Sequence, residues 1–100
     1  MKNKILISII VNCFNGERFL AEALESVINQ SYQNWELIFW DNQSLDNSSE
    51  ILKSYKHPKF TYFYSSTHTN LGKARELALK KTNGDWIGFL DCDDIWLPEK

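Results

Sequence analysis

The chain has no glycine-rich phosphate loop. A dinucleotide site needs Gly-x-Gly-x-x-Gly after its first strand, and a P-loop ends in Gly-Lys-Ser/Thr. Here the first apolar run is followed by Asn12-Cys13-Phe14-Asn15-Gly16, with a single glycine. Both of those phosphate-binding classes are thereby set aside. A basic block is also missing. Eleven Lys and Arg residues face thirteen Asp and Glu, for a net charge of −2. That balance argues against broad binding to nucleic acid or a membrane surface. No apolar run approaches the roughly 18 residues of a membrane span. The start, Met1-Lys2-Asn3-Lys4 before Ile5 to Val11, superficially resembles a signal peptide. Its apolar stretch contains Ser8 and leads into Asn12 with no small-residue cleavage site, so it reads as a buried strand of a cytoplasmic chain. Cysteine is scarce too. Cys13 and Cys92 are too few, and too far apart in sequence, for a zinc site or a disulfide framework. They read as small residues at strand ends.

What is present suits a packed core. Apolar residues make up 43% of the chain and aromatics 14%, which excludes disorder. One hundred residues is one small domain, or part of a larger one. Ile5 to Val11 is a β-branched run, apolar on both faces, as in a strand covered from both sides. Asn15 is placed to cap a helix from about Gly16 to Gln30, with Glu17 in its first turn. Phe19/Leu20, Ala23/Leu24 and Val27/Ile28 form its apolar stripe. Trp35 to Trp40 is a second strand. Asn47 to Glu50 has capping-box spacing before a short helix that carries Ile51, Leu52 and Tyr55. His57-Pro58 closes that helix. Phe60 to Tyr64 is a third strand. Asn70 caps a helix from about Leu71 to Lys81, with Leu71, Ala74, Leu77 and Ala78 inward. Asn83-Gly84 ends it with residues that tolerate the left-handed region. Trp86 to Leu90 is a fourth strand. Trp35, Trp40 and Trp86 read as core residues, and His57 and His68 as surface or turn residues.

This strand–helix alternation predicts an α/β fold. It is Rossmann-like, three-layer α/β/α, with a mainly parallel four-stranded sheet. All strands then end on one edge, where such sheets bind ligands. Four polar segments fall there: residues 12–15, 41–44, 65–72 and 91–94. The last holds Asp91, Asp93 and Asp94 at the end of an apolar strand. Carboxylates that close repel one another unless a cation intervenes, and their oxygens suit Mg²⁺ or Mn²⁺. Asp41 or Asn42 can hydrogen-bond a base or ribose, and Phe14 can either stack on a base or pack in the core. Together these residues read as a nucleoside-diphosphate site in which a metal carries the positive charge.

The same residues resemble family 2 glycosyltransferases of the GT-A fold. Ser8 to Asn15 is similar to that family's first strand and its Tyr/Phe-Asn ending. Leu24 to Leu37 is similar to its Ser-Val-x-x-Gln-Thr-Tyr-x-x-Trp-Glu-Leu run. Asp41-Asn42-Gln43-Ser44-Leu45-Asp46 resembles Asp-Asp-Gly-Ser-Thr-Asp. Asn70 to Arg75 resembles Asn-x-Gly-x-x-x-Ala-Arg, shortened. Asp91-Cys92-Asp93-Asp94-Ile95-Trp96-Leu97-Pro98 matches the Asp-x-Asp motif and its continuation. The resemblance covers essentially the whole chain. Asn42, Gln43 and Glu76 depart from it, standing where Asp, Gly and Asn are commoner; at Gln43 a different loop shape is expected.

The resemblance implies a role for each matched position. Asp93 would hold a divalent metal, Mn²⁺ or Mg²⁺, with Asp91 beside it on the ribose and metal side. Asp41 and Asn42 would read the base, with Asn12 and Phe14 flanking it. Lys73 and Arg75 would touch the nucleotide or sugar. The donor would be a nucleotide sugar, with UDP the first expectation, and the acceptor a saccharide or a lipid-linked one. The family's catalytic base lies in an acceptor-binding half, here downstream of Lys100. The chain is therefore expected to be a nucleotide-sugar-binding part, 1–100, truncated before that half and prone to self-association. A non-catalytic module of the same fold remains the alternative. A nucleotidyltransferase would need a glycine-rich first loop with a basic residue, which is absent.

Overall fold

The computed structural model describes residues 5–92. Asp93, Asp94 and Trp96 lie outside the described residues. Seven elements alternate: β1 (Ile7–Cys13), α1 (Glu17–Ile28), β2 (Trp35–Asp41), α2 (Ser48–Ser54), β3 (Phe60–Tyr64), α3 (Leu71–Leu79) and β4 (Trp86–Asp91). The strands form one sheet in the order β3-β2-β1-β4, every neighbouring pair parallel. Ile7 pairs with Trp35 and Trp86, and Asn12 with Trp40 and Asp91. The strands therefore end together on one edge. Chain order runs outward from β1 through β2 to β3, then reverses to β4 on β1's other side. The crevice at that reversal is where open α/β sheets place ligands.

The apolar alternation of the strands feeds two layers. Ile9, Val11, Leu37 and Phe39 pack with Leu20, Leu24 and Val27 of α1 and Leu52 of α2. On the other face Ile10, Ile38 and Trp40 pack with Ala74 and Ala78 of α3. Each large side chain so buried contributes about 1.5–3 kcal/mol. The doubly covered reading of β1 is correct for this reason.

Several local expectations need correction. Gly16, not Asn15, is the N-cap of α1, and no side chain caps it from that position. Asn15 takes a left-handed backbone, φ 54°, and its Oδ1 accepts from Leu45 N. The first-turn donors of α1 go instead to the segment after β2. Asp46 Oδ2 accepts from Glu17 N, and Ser48 Oγ accepts from Gly16 N, both at 3.0 Å. Asn47 makes no side-chain cap on α2 either; Asp46 Oδ1 takes the Ser48 N–H. Asp46 is partly desolvated, yet the Ser48 hydroxyl, which donates to its Oδ1 at 2.6 Å, together with the Glu17 and Ser48 N–H groups outweighs that and holds its carboxyl below the usual 3.8. The chain leaves α2 at Lys56, φ 50°, just before His57-Pro58. Asn70 does cap α3, accepting from Lys73 N at 2.8 Å.

Gly84 does not adopt a positive φ. Its lack of a side chain serves close approach, because a Cβ there would stand 2.7 Å from Ser8 N and 2.8 Å from Leu6 O. Trp86 is 65% exposed, not core. It sits on β4, an edge strand of the sheet among the described residues, while α3 packs on β1 and β2. Leu71 is likewise largely exposed.

Candidate functional site

A cavity of about 300 Å³ opens at the C-terminal edge of the sheet. That is the lower end of the size range for small-molecule sites. Asn12, Cys13 and Phe14 line it from the end of β1, and Asn42 from the end of β2. His68, Thr69 and Asn70 line it from the β3–α3 connection, and Leu71 and Ala74 from α3. Its walls thus combine an aromatic side, an apolar helix start and several amides.

Hydrogen bonds between loops hold this rim together. Asn42 N donates to Cys13 O, and Ser65 N to Asp41 O, each at 2.8 Å. The Asn42 side chain clamps Thr69: its Nδ2 donates to Thr69 O at 2.6 Å, and its Oδ1 accepts from Thr69 N at 3.0 Å. His68 Nδ1 lies 3.0 Å from Asn42 O. The His68 ring meets Phe14 edge-on, with centroids 4.5 Å apart. Phe14 keeps nearly half its surface exposed, so it is a wall of the cavity and not core.

Asp41 is placed differently. It is 1% exposed and does not line the cavity. Its Oδ2 accepts from Tyr62 Oη at 2.6 Å and its Oδ1 from Ser44 N at 2.8 Å. Burial, followed by the hydrogen bond and charge of Asp41, pushes the Tyr62 phenol well above its usual 10.0, so it stays a donor. Gln43, beside it, takes a left-handed backbone with φ 64°, a conformation glycine occupies freely. Its Nε2 donates to Ser65 O at 3.2 Å. Asp41 and Asn42 therefore shape the loop, and only Asn42 also faces the cavity.

Asn12 behaves in the opposite way. It lines the cavity and is 8% exposed, yet its buried Oδ1 has no hydrogen-bond partner among the described residues. An unmet buried acceptor costs about 1–3 kcal/mol, and a ligand N–H or O–H would recover it.

The charged candidates sit outside the cavity lining. Arg75 Nη2 is 3.6 Å from Asp91 Oδ1, and its guanidinium carbon is 5.1 Å from the centre of the Phe89 ring. Lys73 pairs with Glu76 at 3.5 Å on an exposed face of α3. Asp91 presents a half-exposed carboxylate at the end of β4, a hard oxygen ligand suited to Mg²⁺ or Mn²⁺. Among the described residues no group of three His, Cys, Asp or Glu side chains converges.

The two cysteines meet, which sequence separation concealed. Cys13 ends β1, and Cys92 follows β4. A Cβ on Gly16 would lie 2.3 Å from Cys92 Sγ and 2.9 Å from Cys13 Sγ, so both sulfurs share the space that this glycine leaves. The hydrogen bond from Cys92 draws the Cys13 thiol from its usual 9.0 to about 7, against burial and with help from Ser48, the Gly16 backbone and Ser44. His68 was the other residue missed. The signal for it was its place in the segment after β3, on the edge where all strands end.

Comparison with known proteins adds to this geometry. The family model described as glycosyl transferase family 2 matches residues 8–100. An uncharacterized glycosyltransferase of Haemophilus influenzae is 41% identical over 98% of the chain. An Escherichia coli UDP-Glc:alpha-D-GlcNAc-diphosphoundecaprenol beta-1,3-glucosyltransferase, WfgD, is 35% identical over 95% of it. The chain spans 40% and 38% of those two relatives. The crystal structure of S. aureus TarS 1-349 in complex with UDP superimposes with a TM-score of 0.87 and 29% identity, covering 93% of this chain and 29% of that one.

Proposed function

Because the chain belongs to glycosyl transferase family 2, we propose that it is the donor-binding part, residues 1–100, of an enzyme that transfers a sugar from a UDP-sugar to an acceptor hydroxyl with inversion. The observation that carries this reading is the cavity at the strand-order reversal, walled by Phe14 and His68 and holding the unpartnered Asn12 Oδ1. A uracil ring has an N–H for that acceptor and a face for the aromatic wall. Asn42 and Asp41 keep the surrounding loop in shape. UDP in the complex of the TarS fragment and UDP-Glc in the name of the E. coli relative support the choice of nucleotide. The diphosphoundecaprenol in that same name supports a lipid-linked acceptor.

Asp91 and Asp93 would hold a divalent cation, which supplies positive charge to the leaving diphosphate. Arg75 pairs with the half-exposed Asp91 carboxylate at the end of β4. Asp41 is buried, doubly hydrogen-bonded and absent from the cavity lining, which leaves it out of reach of an acceptor hydroxyl. We assign the general base to sequence beyond Lys100, in keeping with relatives of which this chain spans about two fifths.

Titration calorimetry with UDP, GDP and CDP, each with and without Mn²⁺, tests the reading. UDP should bind best, and removal of Mn²⁺ should weaken its binding. Binding of none of the three nucleotides would overturn the proposal.

A further inference from the structure

The geometry points to a second property of this rim: we propose that Cys13 and Cys92 form a reversible intramolecular disulfide that weakens donor binding. The effect on binding rests on the donor-site reading above; formation of the bond does not. The register pairs Asn12 with Asp91, so the next positions, Cys13 and Cys92, are neighbours across two parallel strand ends. Adjacent strands run roughly 4.8 Å apart, and disulfides span Cα separations of about 4.4–6.8 Å. Both side chains turn to the same side, since both sulfurs stand within 2.9 Å of one point above Gly16. Glycine at that position keeps the space open. Neither cysteine is in a disulfide in the structure.

The two thiols differ in access. Cys13 is 1% exposed, whereas Cys92 is partly exposed. That sets the order of a thiol–disulfide exchange with a low-molecular-weight disulfide such as oxidised glutathione. The Cys92 thiolate attacks one sulfur of the reagent and releases one glutathione thiolate, leaving a mixed disulfide. The Cys13 thiolate then attacks Cys92 Sγ and displaces the second glutathione. Two protein thiols and one glutathione disulfide become one protein disulfide and two glutathione thiols, with the two protons passing to the released thiolates.

The bond would matter because of where its ends lie. Cys13 lines the cavity, and Cys92 separates Asp91 from Asp93. Joining the sulfurs ties the segment carrying the metal-binding carboxylates to the end of β1. Displaced supports of metal ligands cost roughly 10–100-fold in affinity.

The test begins with reduced protein incubated with oxidised glutathione. Intact mass should fall by two hydrogens, and mapping should join the peptides of Cys13 and Cys92, reversibly with dithiothreitol. Stable glutathione adducts, links between two chains, or untouched thiols would overturn the proposal. Cys13→Ser should instead retain glutathione on Cys92. Rapid loss of that adduct from a folded variant would contradict the assigned order. If the variant does not fold, the wild-type mass and map still decide. Calorimetry of UDP with Mn²⁺ should then show about tenfold weaker binding to the oxidised form, and equal affinity would overturn the effect on the donor site. Failure of the reduced protein to bind UDP would instead count against the function proposed above and leave the disulfide result standing.

Discussion

The two rims of the sheet use the same residue types for opposite ends. At the rim where strands begin, Ser8 Oγ donates to Glu36 Oε2 at 2.5 Å and accepts from Gly84 N at 2.7 Å. Glu36 also accepts from Asn83 N at 2.6 Å and from Asn83 Nδ2 at 3.2 Å. Asp85 Oδ2 takes the Leu6 N–H, and Leu6 O takes that of Asp85. Three strands are thus laced shut by groups that satisfy one another. At the rim where strands end, Asp41, Asn42 and Tyr62 also bond to one another's segments, but they hold loops around a cavity, and Asn12 Oδ1 is left unmet among the described residues. Closure at one rim fixes strand position. Incomplete closure at the other leaves polar capacity for a ligand.

The largest way to break this contrast is Gly84→Ala. Its Cβ would meet Ser8 N and Leu6 O, backbone atoms that no rotamer change can move aside. We expect a loss of about 3 kcal/mol in urea unfolding, with UDP affinity unchanged at temperatures where the variant is folded. Unaltered stability would show that the lower rim is not tightly closed.

Tyr62→Phe probes the upper rim with a smaller effect. It removes the donor to buried Asp41 and should cost about 2 kcal/mol. Since Asp41 also accepts from Ser44 N, the loop that carries Asn42 should loosen. UDP affinity should therefore fall together with stability, unlike in Gly84→Ala. A stability loss with unchanged affinity would separate Asp41 from the shape of the cavity.

Legibility in sequence follows the range of the interaction. The four strands were readable because β-branched and aromatic runs report burial directly, and Asn70 caps α3 through a contact three residues away. The cap of α1 was not readable, since Asp46 and Ser48 reach it from beyond β2. Trp86 was misread because an apolar residue does not disclose whether its strand is central or at an edge. At the site, the segments that meet were legible from strand order alone. Their division of labour was not. Asp41 and Asn42 look alike in sequence, yet the Asp41 side chain is buried on Tyr62 and Ser44, whereas Asn42 clamps Thr69 and also lines the cavity. Cys13 and Cys92 illustrate the same limit, for their contact exists only because β4 lies beside β1.

The smallest effect sharpens the account of the closed rim. Glu36 is partly desolvated, which raises its pKa, but the hydrogen bonds from Ser8 and Asn83 outweigh this and hold the carboxyl below its usual 4.5. A depressed carboxyl pKa means that the unfolded chain binds a proton more readily than the folded one. The resulting stability is fully present above pH 4.5 and is lost as pH falls toward the lower folded value. Glu36→Gln removes the charge and keeps one acceptor. Because the site is partly open to water, the variant should be less stable by about 1 kcal/mol or less at neutral pH. The gap should narrow as pH drops below 4.5, read from urea unfolding across that range. A gap that stays constant with pH would mean that the rim is held by Ser8 and Asn83 irrespective of the carboxylate's charge.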